Sequence, residues 1–389
     1  MGKHLSAWSR ALAVAVTAVL LTVPSVAAAA SQAASQGFVT ISGNVSPGLE
    51  SAQRVAPLDG TVSLNFTVVL TPRDAPGLEL FVAAVSDSHS PEYGNYITPE
   101  VFADRFGPTP QAVATVRNYL GSRGLSVSSV DPNRLAIHAS GTVASVESAF
   151  GTSLSVWHDA AQGRDFIANA SGPRMPAPVA GLVGSVMGLD NHHPARHHAR
   201  VSANSGPKGT GSGHSNAFTP ADLHAAYDIH PALGTGAGQS IGLYELDRFR
   251  PGNVAMYETT YGPPNASIEM IPVDGFPTSG APVDPFGAIE AELDIEVINA
   301  IAPGAFIKVW EGYNGAVPNS TVLDGTYDVY SRMVNDNITR VNSTSWGDCE
   351  SSFTSAYMNS VHILLVQAAA QGQTWFAASG DNGVYDCRT

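Results

Sequence analysis

Four carboxyl groups crowd one short stretch of this 389-residue chain, Ala288-Ile289-Glu290-Ala291-Glu292-Leu293-Asp294-Ile295-Glu296-Val297-Ile298. On a helix turning about 100° per residue, Ile289, Leu293, Val297 and Ile301 fall on one apolar arc. Glu290 and Asp294 lie in or beside that arc, whereas Glu292, Glu296 and Asn299 cluster opposite. The spacing therefore predicts two acids facing inward and two outward, with Glu290 and Asp294 neighbours at i and i+4. Two adjacent inward carboxyls cannot both ionise freely, so one holds its proton well above the ordinary range. No basic residue lies nearby in sequence to pair them. They read either as structural acids or as a coupled acid–base pair suited to hydrolysis at low pH. A third acid, Asp381, stands in Ala378-Ser379-Gly380-Asp381-Asn382-Gly383, where a strand runs into a glycine-flanked turn. It is a turn-former or, when protonated, a hydrogen-bond donor to a developing oxyanion.

Elements that could hold these groups are legible around them. Gln239–Tyr244, Phe306–Trp310, Arg340–Ser343 and Thr374–Ala378 read as short strands, separated by helices at about 287–301, 321–333 and 352–371. That alternation implies a doubly wound parallel sheet, whose sites lie beyond the carboxyl ends of its strands. Upstream, residues 53–190 form a different pattern. Val62–Leu70 and Leu135–His138 are strand-like, whereas Leu78–Val85, Pro110–Leu120 and Val143–Phe150 have helical spacing. This suggests a small α+β unit of ferredoxin-like type. Between the two, residues 191–216 carry His192, His193, His197 and His198 among Ser, Gly and Pro with no apolar period. They read as a solvated linker. A metal-binding role for the histidines is the weaker alternative, since no carboxylate or cysteine accompanies them.

Composition narrows the class further. With 33 acidic against 19 basic side chains and a net charge of −14, the chain lacks the basic clusters of a nucleic-acid binder. Residues 1–30 have a basic flank (Lys3, Arg10), an apolar run from Ala11 to Val23 and small residues at Val26 to Ala30, as a secretory leader does. Residues 31–52 read as a flexible lead-in. No later stretch is long and apolar enough to span a bilayer, so no membrane association is expected once the leader is removed. In an oxidising compartment the only two cysteines, Cys349 and Cys387, are most simply one disulfide, with two buried thiols as the alternative.

Taken in order, His89-Ser90-Pro91-Glu92-Tyr93-Gly94-Asn95-Tyr96-Ile97-Thr98-Pro99-Glu100, Phe106-Gly107-Pro108, Phe218-Thr219-Pro220-Ala221-Asp222-Leu223, the Glu290–Glu296 stretch, Ser345-Trp346-Gly347 and Ser379-Gly380-Asp381 resemble the sedolisins, or serine-carboxyl peptidases, over about residues 53–389. The resemblance implies an activation prodomain over 53–190, then an incomplete subtilisin-like α/β domain over 217–389. It implies a secreted, acid-acting serine-type endopeptidase whose own prodomain inhibits it and whose substrates are proteins or peptides. Glu290 matches the general base, Asp294 the acid that orients it and Asp381 the oxyanion donor. Glu245 and Trp346 match residues that extend the hydrogen-bond chain. The family's nucleophilic serine, in a Gly-Thr-Ser further along, is expected to be missing here, so the chain alone is expected to be inactive. Its single Gly-Thr-Ser, Gly151-Thr152-Ser153, falls in the prodomain. Calcium is expected only in the complete enzyme, on residues this chain does not contain. The alternative from another functional class is a non-catalytic module that binds or inhibits related proteases.

Overall fold

Period-two alternation sorts the N-terminal sheet into two faces. In this computed structural model, residues 37–197, 211–213, 216–230, 232, 234–315, 325–381, 383 and 387 are described. The leader at 1–30 lies outside them. Strand β1 (Ser63–Leu70) is followed by helices α1 (Ala75–Ser86) and α2 (Pro110–Ser122). Strands β2 (Ser126–Val130) and β3 (Ala136–Thr142), helix α3 (Val143–Phe150) and strand β4 (Val183–Met187) complete the unit. The sheet order is β2-β3-β1-β4, with every pair antiparallel. Leu64, Phe66, Val68 and Leu70 of β1 and Ile137 and Ala139 of β3 pack on α2 and α3. The intervening Val69 and Ala136 turn the other way, into a second core shared with Tyr327, Val361 and Leu364 from the C-terminal half. Side chains alternate across a strand, so Thr67 and His138 necessarily face that second layer too. Helices α1, α2 and α3 fall close to their expected positions. Each begins at an Asp or Thr whose side chain accepts a backbone N–H of the first turn, the usual helix-starting device.

The C-terminal half alternates as expected. It contains β5 (Arg196–His197), β6 (Ser240–Glu245), α4 (Pro251–Tyr261), β7 (Ser267–Pro272), α5 (Pro285–Ile301) and β8 (Phe306–Glu311). Then follow α6 (Thr326–Asp336), β9 (Val341–Thr344), β10 (Trp346–Gly347), α7 (Ser355–Ala370) and β11 (Thr374–Ala377). Strands pair in parallel in the order β7-β8-β6-β9-β11. The first residues of the helix expected at 321–333 lie outside the described residues. Strand β7 and helix α4 escape the sequence reading, because β7 is an edge strand of mixed polarity and α4 has little apolar asymmetry. The described residues from Phe38 onward pack as one unit. Across the two layers the Ser185 and Ser360 hydroxyls meet at 2.9 Å, and Asn133 Nδ2 donates to Gln367 Oε1 at 2.8 Å.

Two expectations change. The lead-in is not loose over residues 38–52. Phe38–Thr40 pairs with Arg174–Pro176, Ile41 and Leu49 are buried, and the Asn44 side chain bonds Val186 through both its amide atoms. Nor is the start of 191–216 a solvated tether. His192 is 2% exposed and stacks on Phe166 at 3.7 Å. Its Nε2 lies 3.1 Å from Asp159 Oδ2, while Arg196–His197 joins a strand. An aromatic wall and an acid supplied from 26–33 positions earlier in the chain make a buried histidine affordable here. Residues 198–210 lie outside the described residues.

Candidate active site

Helix α5 starts at Asp284, whose carboxylate accepts the Phe286 N–H at 2.9 Å, with Pro285 in the first turn. Asp247, two residues beyond β6, holds this start in place by accepting the backbone N–H groups of Val283 and Asp284 at 2.9 and 2.6 Å. The approach is close. A Cβ on Gly287 would come within 2.9 Å of Asp247 Oδ2 and 3.0 Å of the Trp346 ring. From there the helix lies against the sheet through Ala291 and Ile295, which share a core with Leu243 and Val309.

That orientation corrects the expected apolar arc. Leu293 is 47% exposed, whereas Ala288, Ala291 and Ile295 are fully buried. Small side chains, not the largest ones, mark the face that meets the sheet. Glu290 is buried as expected and Asp294 is largely so. Glu292, expected outward, is buried as well. It accepts the backbone N–H of Arg250 at 2.9 Å, the Arg250 guanidinium at 3.2 Å and the Asn253 amide at 2.8 Å. It therefore caps α4 from outside that helix. The base that pairs it stands 42 positions away in sequence, beyond the reach of a local reading. Glu296 is half-buried, and burial together with Glu292 and Glu258 pushes it up to about 7.

The carboxyl ends of the strands complete the cluster. Ser345, between β9 and β10, donates to both carboxylate oxygens of Asp294 at 2.9 Å. Burial pushes Asp294 up to about 6; the Ser345 bond opposes this and the Glu290 charge adds to it. Behind it Glu245, the last residue of β6, is wholly buried and accepts the Trp346 indole N–H at 2.8 Å. Burial, then the neighbouring Asp294 charge, holds Glu245 well above the carboxylate range. One strand over, Glu311 stands in register with Glu245. Both its oxygens are buried without a hydrogen bond, and burial pushes it up to about 7. Glu290, Asp294, Glu245 and Trp346 are thus brought together. Asp381 sits exposed on the turn after β11, whose start is fixed beside the site by the Ala378 N–H bonding Thr344 O at 3.0 Å. Cys349 and Cys387 form a disulfide, which ties the segment after β10 to the segment after Asp381.

Sequence reasoning missed Ser345, Asp247 and Glu311. The signal for each was its place at or just beyond the end of a parallel strand, where such sheets build sites. It also missed what runs across the site. Strand β5 pairs antiparallel with β10, Arg196 opposite Gly347 and His197 opposite Trp346. The His197 ring stacks on Phe286, with Nε2 3.1 Å from Asp284 Oδ2.

Buried carboxyls thus gather at the carboxyl edge of a parallel α/β sheet, and an antiparallel α+β layer packs against the same half. The chain is similar to the sedolisins, the serine-carboxyl peptidases, over most of its length. Residues 50–192 match the family model described as "Pro-kumamolisin, activation domain". Xanthomonalisin of Xanthomonas sp. (strain T-22) is 30% identical over 374 residues, covering 92% of this chain and 45% of that protein. Kumamolisin of Bacillus sp. (strain MN-32) is 30% identical over 85% of this chain and 59% of its own length. Sedolisin of Pseudomonas sp. (strain 101) is 27% identical over 88% of this chain and 58% of its own length. The chain therefore spans about half the length of the relatives it matches. A solved Pseudomonas sedolisin complexed with two molecules of pseudo-iodotyrostatin aligns over 46% of this chain at 25% identity, with a TM-score of 0.37.

Proposed function

We propose that this chain is the activation domain and the first part of the catalytic domain of a secreted, acid-acting serine endopeptidase precursor. The observation that carries the reading is the bond from Ser345 to both oxygens of Asp294, with the Glu245–Trp346 bond behind it. It fixes one carboxyl beside Glu290 in a site too dry for free ionisation. Below about pH 6 Asp294 holds its proton and can donate a hydrogen bond to Glu290. Glu290 then serves as the base that takes a proton from an attacking serine hydroxyl. Asp381 serves as the hydrogen-bond donor to the oxyanion. The sheet order β2-β3-β1-β4 supports a ferredoxin-like activation domain, and β7-β8-β6-β9-β11 supports a subtilisin-like domain. Strand β5 supports self-inhibition. By pairing with β10 beside Glu245 and Asp294 it occupies the backbone edge an extended peptide substrate would use.

Ser153 does not fit the nucleophile. It is exposed just before the strand Leu154–Asp159, in the other layer from Glu290 and Asp294. Calcium is assigned to none of the chain's residues. The test uses the complete precursor and an acid-denatured protein substrate at about pH 3–5. Glu290→Gln and Asp381→Asn are each expected to lower kcat by about 100-fold or more, and the 389-residue chain is expected to show no turnover. Near-parental rates in Asp381→Asn would remove it from the oxyanion role. Turnover by this chain that Glu290→Gln abolishes would overturn the missing nucleophile.

A further inference from the structure

Outside the proposed catalytic site, the two layers bring together a histidine and three acids. His138 of β3 presents Nδ1 3.6 Å from Asp328 Oδ1 on α6. The ligand atoms of His138, Asp274 and Asp328 all lie within 4.8 Å of one another. Nitrogen and oxygen ligands about 2.0–2.1 Å from a tetrahedral Zn²⁺ are separated by about 3.4 Å, close to the 3.6 Å between His138 Nδ1 and Asp328 Oδ1. The ring is held as metal-bound imidazoles are held. Its far nitrogen, Nε2, lies 2.9 Å from Asp131 Oδ1, and Asp131 is itself fixed by Ser331 Oγ at 2.5 Å and Asn335 Nδ2 at 3.4 Å. A carboxylate behind the imidazole sets the tautomer that directs the Nδ1 lone pair at a cation. The Thr67 hydroxyl spans His138 Nδ1 and Asp328 Oδ1 at 3.1 and 2.9 Å. A cleft of about 360 Å³, lined by Asp131, His138, Asp274, Asp328 and Arg332, opens on the group and leaves room for water to complete a coordination shell.

We propose that His138, Asp274 and Asp328 form a divalent-cation site of the zinc class, shared between the activation domain and the catalytic portion. Three carboxyls face one imidazole here, and the nearby Arg332 is engaged by Asp336. A doubly charged ion therefore relieves a surplus of negative charge that a ring proton relieves only in part. Because His138 comes from one layer and both acids from the other, the ion staples the two. A released activation domain keeps only one of the three ligands.

Zinc titration of the full chain, stripped of metal by chelation and followed by calorimetry and thermal melting, tests this. One Zn²⁺ is expected per chain, with a raised thermal midpoint. His138→Gln and Asp274→Asn are each expected to weaken binding about tenfold or more and to abolish the midpoint gain. Asp274 is exposed with φ 52°, a conformation asparagine tolerates. That variant should therefore fold as the parent does even if His138→Gln does not. Absence of binding at about millimolar zinc, or binding that Asp274→Asn retains in full, would overturn the proposal. The first would leave an ion-pair cluster only, and the second would move the metal to other histidines such as His193 and His197.

Discussion

Glu311 shows how far one buried side chain can set the acid response of the whole fold. Its two unbonded oxygens lie beside Asp247 and Arg248, and burial outweighs the Arg248 charge to push it from 4.5 up to about 7. A carboxyl whose folded pKa is raised binds more protons in the native state. Its contribution is therefore favourable in acid and is lost as pH rises from about 4.5 through about 7. Asp294 has the same sign between 3.8 and about 6. The urea midpoint is thus expected to fall between about pH 5 and about pH 8. Glu311→Gln should blunt that fall, with a gain on the order of 2–3 kcal/mol at the alkaline end. An unchanged pH slope in the variant would show that Glu311 does not titrate in this range. Of the site residues, Glu290 and Asp294 were legible because two acids at i and i+4 on an apolar helix have few structural excuses. Glu311 was not, because a single Glu at a strand end looks like a solvated terminus.

Helix α5 carries the site, and Glu292 shows what else it holds. That carboxylate takes two N–H bonds from Arg250 and one from Asn253, closing the start of α4, which has no side-chain cap of its own. Glu292→Ala removes a cap and leaves the partly buried Arg250 without its partner. The expected loss is about 2–4 kcal/mol in urea unfolding, with weakened hydrogen-exchange protection confined to α4 and the facing turn of α5. A loss under about 0.5 kcal/mol would mean that solvent replaces the carboxylate. The helix itself was plain from its period, but its rotation was not. Leu293 outweighs Ala288 and Ala291 on any hydrophobic scale, yet the sheet admits the small residues because only they allow the close approach that Gly287 begins.

At the scale of the molecule, the layers are joined by polar contacts among apolar ones. Asn133 to Gln367 and Ser185 to Ser360 are buried bonds between segments 234 and 175 residues apart. The Cys349–Cys387 bridge, closing a separation of 38 residues, restrains the segment bearing Asp381. No free thiol is expected before reduction. Cys387→Ser should cost roughly 3–4 kcal/mol on the chain-entropy argument and raise proteolytic sensitivity after β11. Two titratable thiols in the unreduced protein would dispose of the bridge.

Local chemistry by itself determined most strands and helices of both halves, though not β5, β7 or α4, together with the carboxyl pair on α5 and the simplest pairing of two lone cysteines, because period, turn residues and compartment are written within short windows. The structure decided which face of α5 meets the sheet, that Arg250 answers Glu292, and that His138 of one half meets Asp274 and Asp328 of the other. It also decided that Arg196–His197 lies as a strand against Trp346–Gly347. These depend on distances between residues far apart in the chain, and burial, which sets the charge state of every acid in the site, exists only once those parts have closed on one another.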